Sequence, residues 1–236
     1  GADGAGKTTT CRVLVGLVAP DQGTVMRPPR ERLGYQPEAA GTWADLTVGE
    51  NLRFIASGYG LAERAKTRID QLLEVTGLQG AWDRPAAMLS GGMRQKLAVA
   101  MAILADPELV VLDEPTTGLD PVSRSELWRL LLRAAGEGMA VLTTTSYLNE
   151  AERADHVVLL DEGQVLASGT ADSIREGFSG AVVIAHRPPP DARSWRRGSA
   201  WHVWHEDGSV PEGAQRVSPD LEDVVTAAAM ARKSAS

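Results

Sequence analysis

GADGAGKTT, from Gly1 to Thr9, opens the chain, and its spacing decides the fold. The pattern G-x-x-x-x-G-K-[ST] makes a loop whose glycines let backbone N–H groups turn inward around phosphate oxygens. The lysine reaches the β- and γ-phosphates, the next hydroxyl ligates Mg2+, and the following helix points its N-terminus at the anion. Those roles fall to Gly1, Gly4, Gly6, Lys7 and Thr8, with Ala2, Asp3 and Ala5 filling the loop between them. Such a loop follows a buried strand. Because the chain starts on the first motif glycine, without an initiator methionine, it is expected to be a fragment that lacks this strand.

At 236 residues the chain has room for one large domain, or one domain with an appendage. A hydrophobic content of 43% supports a substantial core and argues against general disorder. The formal net charge of -7 speaks against a protein that coats nucleic acid, so no such partner is expected. The single Cys11 excludes an intramolecular disulfide and suits a reducing compartment. No apolar run approaches the about eighteen residues that cross a bilayer, and no signal peptide is visible. A membrane connection would come through a partner.

Outward from the loop, Thr8 to Leu17 reads as its helix, and residues 24–37 as short strands interrupted by two prolines. Trp43 to Ala87 turns helical, with Leu72, Leu73 and Val75 assigned to one buried face. Met93 to Ala105 is a run of helix formers that stops before Asp106-Pro107. ELVVL (108–112) and AVLTTT (140–145) read as buried strands, and HVVLLDEGQVLASG (156–169) as a hairpin turning at Glu162-Gly163. Strands alternating with helices predict an α/β domain around a mostly parallel sheet over residues 1–179, with a helical subdomain over about 43–92. Beyond Gly180 a Pro- and Arg-rich stretch (187–197) and a cluster of Trp195, Trp201 and Trp204 mark a small α/β appendage over 180–236. Its last helix is expected to start with Ser218 as cap and Pro219 at the first helical position.

Two further motifs carry chemistry. In LSGGMRQK (89–96) a serine and glycines open a helix, so that Ser90, Gly91 and Gly92 can present hydroxyl and N–H groups to an anion. An SGG turn also serves simply as a helix cap. ELVVLDEP ends a strand on Asp113 and Glu114, the edge at which α/β sheets bind ligands. Asp113 there can hold the Mg2+ shell, and Glu114 can polarise an attacking water. TTGLDP follows and places Asp120 a few residues beyond the base.

With these four motifs in this order, the chain resembles the ATP-binding cassette domain of ABC transporters from Gly1 to about Gly169. That resemblance implies a P-loop NTPase that binds ATP and Mg2+, two cassettes packed head to tail, and a transmembrane permease as partner. Lys7, Thr8, Thr9, Asp113 and Glu114 would serve the chain's own nucleotide, while Ser90 and Gly92 would touch the γ-phosphate held by the second cassette. The place implied is the cytoplasmic face of the plasma membrane. SPDLEDVVTAAAM (218–230) resembles the endings of drug-exporter cassettes, and SYLNEAERADHV with GADG resembles the first cassette of tandem exporters.

The chain departs from the family pattern twice. In LGYQPEAAG the ungapped match puts Glu38 at the position where a glutamine ordinarily senses Mg2+, with Gln36 as the alternative. In TTTSYLNEAE the switch histidine is replaced by Ser146, which either takes part in catalysis or caps the helix bearing Glu150. Both changes predict slow hydrolysis, or a regulatory cassette that binds ATP with little turnover; a soluble ABC ATPase outside transport is the other competitor. His156 is expected to be structural, His186, His202 and His205 lack ligand spacing for a metal, and the Trp and Arg cluster is expected to be packing.

Overall fold

The computed structural model describes residues 1–61, 64–187 and 193–235, the side chains of 233–235 excepted. It divides into two compact units, Lys7–Thr145 and Gly1–Gly6 with Ser146–Ser236. The appendage boundary expected near residue 180 thus falls inside the second unit. Residues 188–192 of the Pro- and Arg-rich stretch lie outside the described residues.

The first unit runs α1 (Lys7–Leu14), β1 (Leu33–Gln36), α2 (Val48–Gly58), α3 (Arg64–Thr76), α4 (Gly91–Ile103), β2 (Leu109–Asp113), α5 (Pro121–Gly136) and β3 (Ala140–Thr144). The three strands pair in parallel in the order β1-β2-β3, with Gln36 opposite Leu112 and Asp113 opposite Thr144. Alternate side chains of β2 enter different cores. Val110 and Leu112 join the large cluster built from the helices, whereas Val111 packs with Cys11, Val15 and Leu33 on the α1 side. A strand covered on both faces has no use for a polar side chain, which is why LVVL is apolar without interruption. At Gly34 a Cβ would lie 2.1 Å from the Ala102 carbonyl oxygen. Glycine is what lets β1 run this close to the end of α4.

Two expectations for this unit are corrected. Residues 24–29 form no strand: Pro28 and Pro29 offer no N–H to a ladder, and pairing starts only at Leu33 after a single 3-10 turn, Arg30–Arg32. On α3 the buried side chains are Ile69, Leu72, Leu73 and Thr76, at intervals of three and four, while Val75 is exposed. Two positions beyond Leu73 is the opposite face of a helix.

The helical region is fastened by polar groups. Thr47 accepts from the Glu50 N–H and the Glu50 carboxylate from the Thr47 N–H, a reciprocal cap on α2. Fully buried Asn51 receives the Trp43 N–H on its Oδ1 and donates through Nδ2 to the Trp43, Leu46 and Thr47 carbonyls. One side chain therefore pins the whole 43–47 segment to α2.

The second unit contains α6 (Leu148–Ala151), the antiparallel hairpin β4 (Val157–Asp161) and β5 (Gln164–Gly169), α7 (Ala171–Glu176), β6 (Ala181–Ala185), β7 (Ser194–Arg197), β8 (Ala200–His205), β9 (Gln215–Val217) and α8 (Leu221–Ala235). The hairpin turns where expected: Glu162 and Gly163 both have positive φ, 47° and 77°, as a two-residue turn of matching twist requires. The other four strands pair in the order β7-β8-β6-β9, all antiparallel. Leu221 and Val224 of α8 share a core with Val157, Leu159 and Ile174, so residues from both sides of 180 are packed together.

The start of α8 corrects the Ser218-Pro219 expectation. The helix begins at Leu221, and the Asp220 carboxylate accepts from the Glu222 and Asp223 N–H groups while Asp223 accepts from the Asp220 N–H. Arg197 reaches Asp220, Glu222 and Asp223, and buried His202 meets Asp223 at 2.8 Å. Trp204 is in the core with Arg193 stacked on its face at 5.2 Å. His156 lies exposed just before β4, its Nε2 2.9 Å from the Ser168 hydroxyl. Among the described residues no group of three or more His, Cys, Asp or Glu is placed to hold a metal, and no helix is long and apolar enough to cross a membrane.

Two outcomes follow from this packing. Burial first, and then the negative charge of Asp113, pushes the Cys11 thiol up from 9.0 to about 12. Native Cys11 should react with a disulfide reagent at pH 8 at least about a hundredfold more slowly than in guanidinium, because the thiolate is the nucleophile. Below the unfolded thiol's pKa both states keep the proton; above it only the unfolded chain loses it, so this thiol should lower stability as pH rises between about 9 and 12, measurable in urea titrations. Asn51→Ala removes four hydrogen bonds at once and leaves the Trp43 N–H without its partner, and should cost about 3 kcal/mol in the same assay, with the loss greatest for the helical region by hydrogen exchange.

Candidate functional site

The parallel register brings the C-terminal ends of β1, β2 and β3 to one edge of the first unit, and the acids of the LDEP motif lie there. Asp113, the last residue of β2, is fully buried. Its Oδ1 accepts from the Thr144 hydroxyl at 2.7 Å, and its Oδ2 is buried with no hydrogen-bond partner. A buried carboxylate oxygen without a donor is energetically adverse unless a cation or water completes it.

Glu114 follows with a left-handed backbone, φ 52°. Its N–H donates to the Thr144 hydroxyl at 3.0 Å, so one oxygen serves both acids. The Thr117 hydroxyl donates to Glu114 Oε2 at 2.9 Å, and Lys7 Nζ stands 3.1 Å from Oε1. The side chains of Lys7 and Glu114 are only 9% and 7% exposed, so the ion pair is shielded from water. The Glu114 carbonyl accepts from the Thr117 N–H and from Gln95 Nε2 at 3.3 Å. Lys7 occupies the first turn of α1, with Thr8 half-buried and Thr9 exposed beside it.

Gln36, at the end of β1, is 1% exposed; its Nε2 donates to the Pro37 and Asp113 carbonyls and its Oε1 is buried without a partner. Glu38 lies two residues past the strand and is exposed. The two alternatives for the metal-sensing position thus differ: one amide is anchored against the main chain of Asp113, and one carboxylate is free of the sheet.

Ser90 and Asp120 are both helix caps in the first unit. Ser90 Oγ accepts from the Met93 N–H at the start of α4. Asp120 accepts from the Val122 and Ser123 N–H groups at the start of α5, and hydrogen bonds led by that from the Ser123 side chain hold its carboxyl below the usual range. A Cβ on Gly92 would lie 3.2 Å from the Ser123 hydroxyl, so the two helix starts are close neighbours. Gly91 opens α4 and is exposed.

The phosphate-loop residues Gly1 to Gly6 belong to the second unit. Gly4 and Gly6 have φ of 79° and 98°, the left-handed backbone that the loop motif requires of its glycines. Ala2 and Ala5 close a turn, the Ala5 N–H donating to the Ala2 carbonyl at 3.2 Å, while the Ala5 carbonyl accepts from the Gly163 N–H. Asp3 is exposed at the crest of this turn. Ser146, in the same unit, is exposed, and the cap position of α6 is held by Tyr147 with no side-chain cap.

Thr144, Thr117 and Gln95 were not singled out by sequence reasoning. The signals were present but faint. Gln95 is a buried amide on a helix whose other buried residues, Leu97 to Ile103, are all apolar, and Thr144 ends a strand at the register position opposite Asp113.

The ABC transporter family model matches residues 1–117. Over 199 residues the chain is 41% identical to YbhF of Escherichia coli strain K12, a probable multidrug ABC transporter ATP-binding protein, covering 80% of this chain and 34% of that protein. The chain therefore spans about a third of that relative's length. Over 205 residues it is 38% identical to the Nod factor export ATP-binding protein I of Burkholderia orbicola strain AU 1054, covering 81% of this chain and 67% of the relative. An ATP-binding subunit of an ABC transporter has a similar solved structure, with TM-score 0.68 and 34% identity over 74% of this chain and 78% of that one. Another is cbiO1 from Clostridium perfringens, part of the ABC transporter complex cbiONQ, with TM-score 0.64 and 27% identity over 75% of this chain and 77% of that one. With its motifs, its parallel sheet and these relatives in agreement, the chain belongs to the ATP-binding cassette family of ABC transporters.

Proposed function

We propose that this chain binds and hydrolyses ATP as one cassette of an exporter, working with a second cassette and a transmembrane permease at the cytoplasmic face of the membrane. ABC ATP-binding domains are ATPases that bind ATP with Mg2+; export is suggested by relatives named for multidrug and Nod factor export. The observation that carries the reading is the buried Lys7–Glu114 pair beside an Asp113 oxygen without a partner. Oxygen donors suit Mg2+, so the orphaned Asp113 Oδ2 fits the ion, with Thr8 and either Glu38 or Gln36 as further ligands. When bound, Mg2+ neutralises charge on the β- and γ-phosphates.

The chain's own residues then divide the work. Glycines 1, 4 and 6 turn N–H groups of the loop, including those of Ala2, Asp3 and Ala5, towards phosphate oxygens. The Lys7 ammonium exchanges the Glu114 carboxylate for the γ-phosphate, with Thr9 flanking it. Released from Lys7, Glu114 accepts a hydrogen bond from the attacking water and polarises it, while the Thr117 hydroxyl keeps hold of Oε2. Ser90 spends its acceptor on Met93 but keeps its O–H to donate, so with Gly91 and Gly92 it can meet the γ-phosphate on the second cassette. Asp120 orders the start of α5 beside them.

A second reading, a regulatory cassette that holds ATP with little turnover, is favoured by Ser146 and Glu38 standing where the family has a histidine and a glutamine. The residues separate the two. With any other ATP site of the assembly silenced by its own lysine substitution, Glu114→Gln should reduce turnover by about 10²–10⁴ while ATP binding persists. Negligible turnover before the substitution, rising in Ser146→His, would instead establish the regulatory reading. Glu38→Ala should weaken the Mg2+ dependence of turnover and leave the melting temperature unchanged. If Gln36→Ala does so and Glu38→Ala does not, the sensing role passes to Gln36.

A further inference from the structure

We propose that Gln95 is a positioning residue for Glu114, holding the main chain of the base through its carbonyl oxygen. The inference rests on the reading of Glu114 as the base, and deepens it. Glu114 has φ 52°, a conformation that strains any residue with a Cβ and persists only where its surroundings over-determine it. Pro115 follows and disfavours the right-handed helical alternative, so an unrestrained Glu114 would relax towards extended backbone and carry its carboxylate away.

Three elements oppose that relaxation. β3 holds the Glu114 N–H through Thr144, the turn holds the carbonyl through the Thr117 N–H, and α4 holds the same carbonyl through Gln95 Nε2 at 3.3 Å. Gln95 is 8% exposed, and its donor is spent on main chain rather than on solvent. Its helix is the one that Ser90 begins. A displacement of α4, on taking up an anion at its N-terminus, is thereby passed to the peptide that aims the base. Gln95 never touches substrate and acts only through Glu114.

The test is a double-mutant cycle on the assembled transporter, with any other ATP site silenced. Gln95→Met keeps length and apolar packing but removes the donor; Gln95→His restores an N–H at similar reach. Gln95→Met should lower kcat roughly tenfold, the rate equivalent of one net hydrogen bond, with KM for ATP and the melting temperature unchanged. Gln95→His should recover most of kcat, and in a Glu114→Gln background Gln95→Met should have no further effect. The inference is overturned if Gln95→Met leaves kcat intact, if Gln95→His is as slow as Gln95→Met, if KM and melting temperature fall with kcat, or if the two substitutions add. Turnover that survives Glu114→Gln removes the base itself, and this inference with it. Full loss in Glu114→Gln beside an unaffected Gln95→Met overturns this inference alone.

Discussion

The Thr144 hydroxyl donates to Asp113 and accepts from the Glu114 N–H, and on that one oxygen the geometry of both acids depends. It can do so only because β3 lies parallel to β2 with Thr144 opposite Asp113, so the register of the sheet sets the arrangement of the site. The burial that makes these bonds strong also makes the charges demanding. Lys7 answers Glu114, while Asp113 has a single hydroxyl donor on one oxygen and none on the other. Burial, with the Asp113 charge adding to it, keeps nearby Cys11 protonated, and the surplus of negative charge leaves the sheet's edge receptive to a cation.

Much of this was legible because particular residues admit few structures. Glu162-Gly163 between apolar runs reads as a tight hairpin, since both residues must adopt positive φ. LVVLD reads as a doubly covered strand because nothing polar interrupts it until the acid. Gly1 to Thr8, with Asp113 and Glu114, announced phosphate chemistry by spacing alone. The cap of α8 was not legible in the same way. Ser218-Pro219 and Asp220 both suit a helix start; Asp223, on the following turn, and Arg197, from another strand, decide for Asp220. Nor were the supporting roles of Gln95 and Thr144, whose partners are distant in sequence and meet only through the crossovers of the parallel sheet. Local patterns specify elements and motifs, while hydrogen bonds between elements wait on topology.

Ser146 illustrates a different limit. A serine just before a helix suits a cap as well as a replaced catalytic group, and Tyr147 holds the cap position of α6. The two roles differ by a shift of one residue, finer than sequence patterns resolve at helix ends.

Asn51 has a mechanical consequence. Four hydrogen bonds from one buried amide join the 43–47 segment to the first turns of α2, and exposed Trp43 packs edge-on against exposed Phe54 of the same helix at 4.5 Å. Loop and helix therefore form a single stiff lever rather than a rod with a slack tether. A force applied at the aromatic pair therefore moves the 43–47 segment and α2 together.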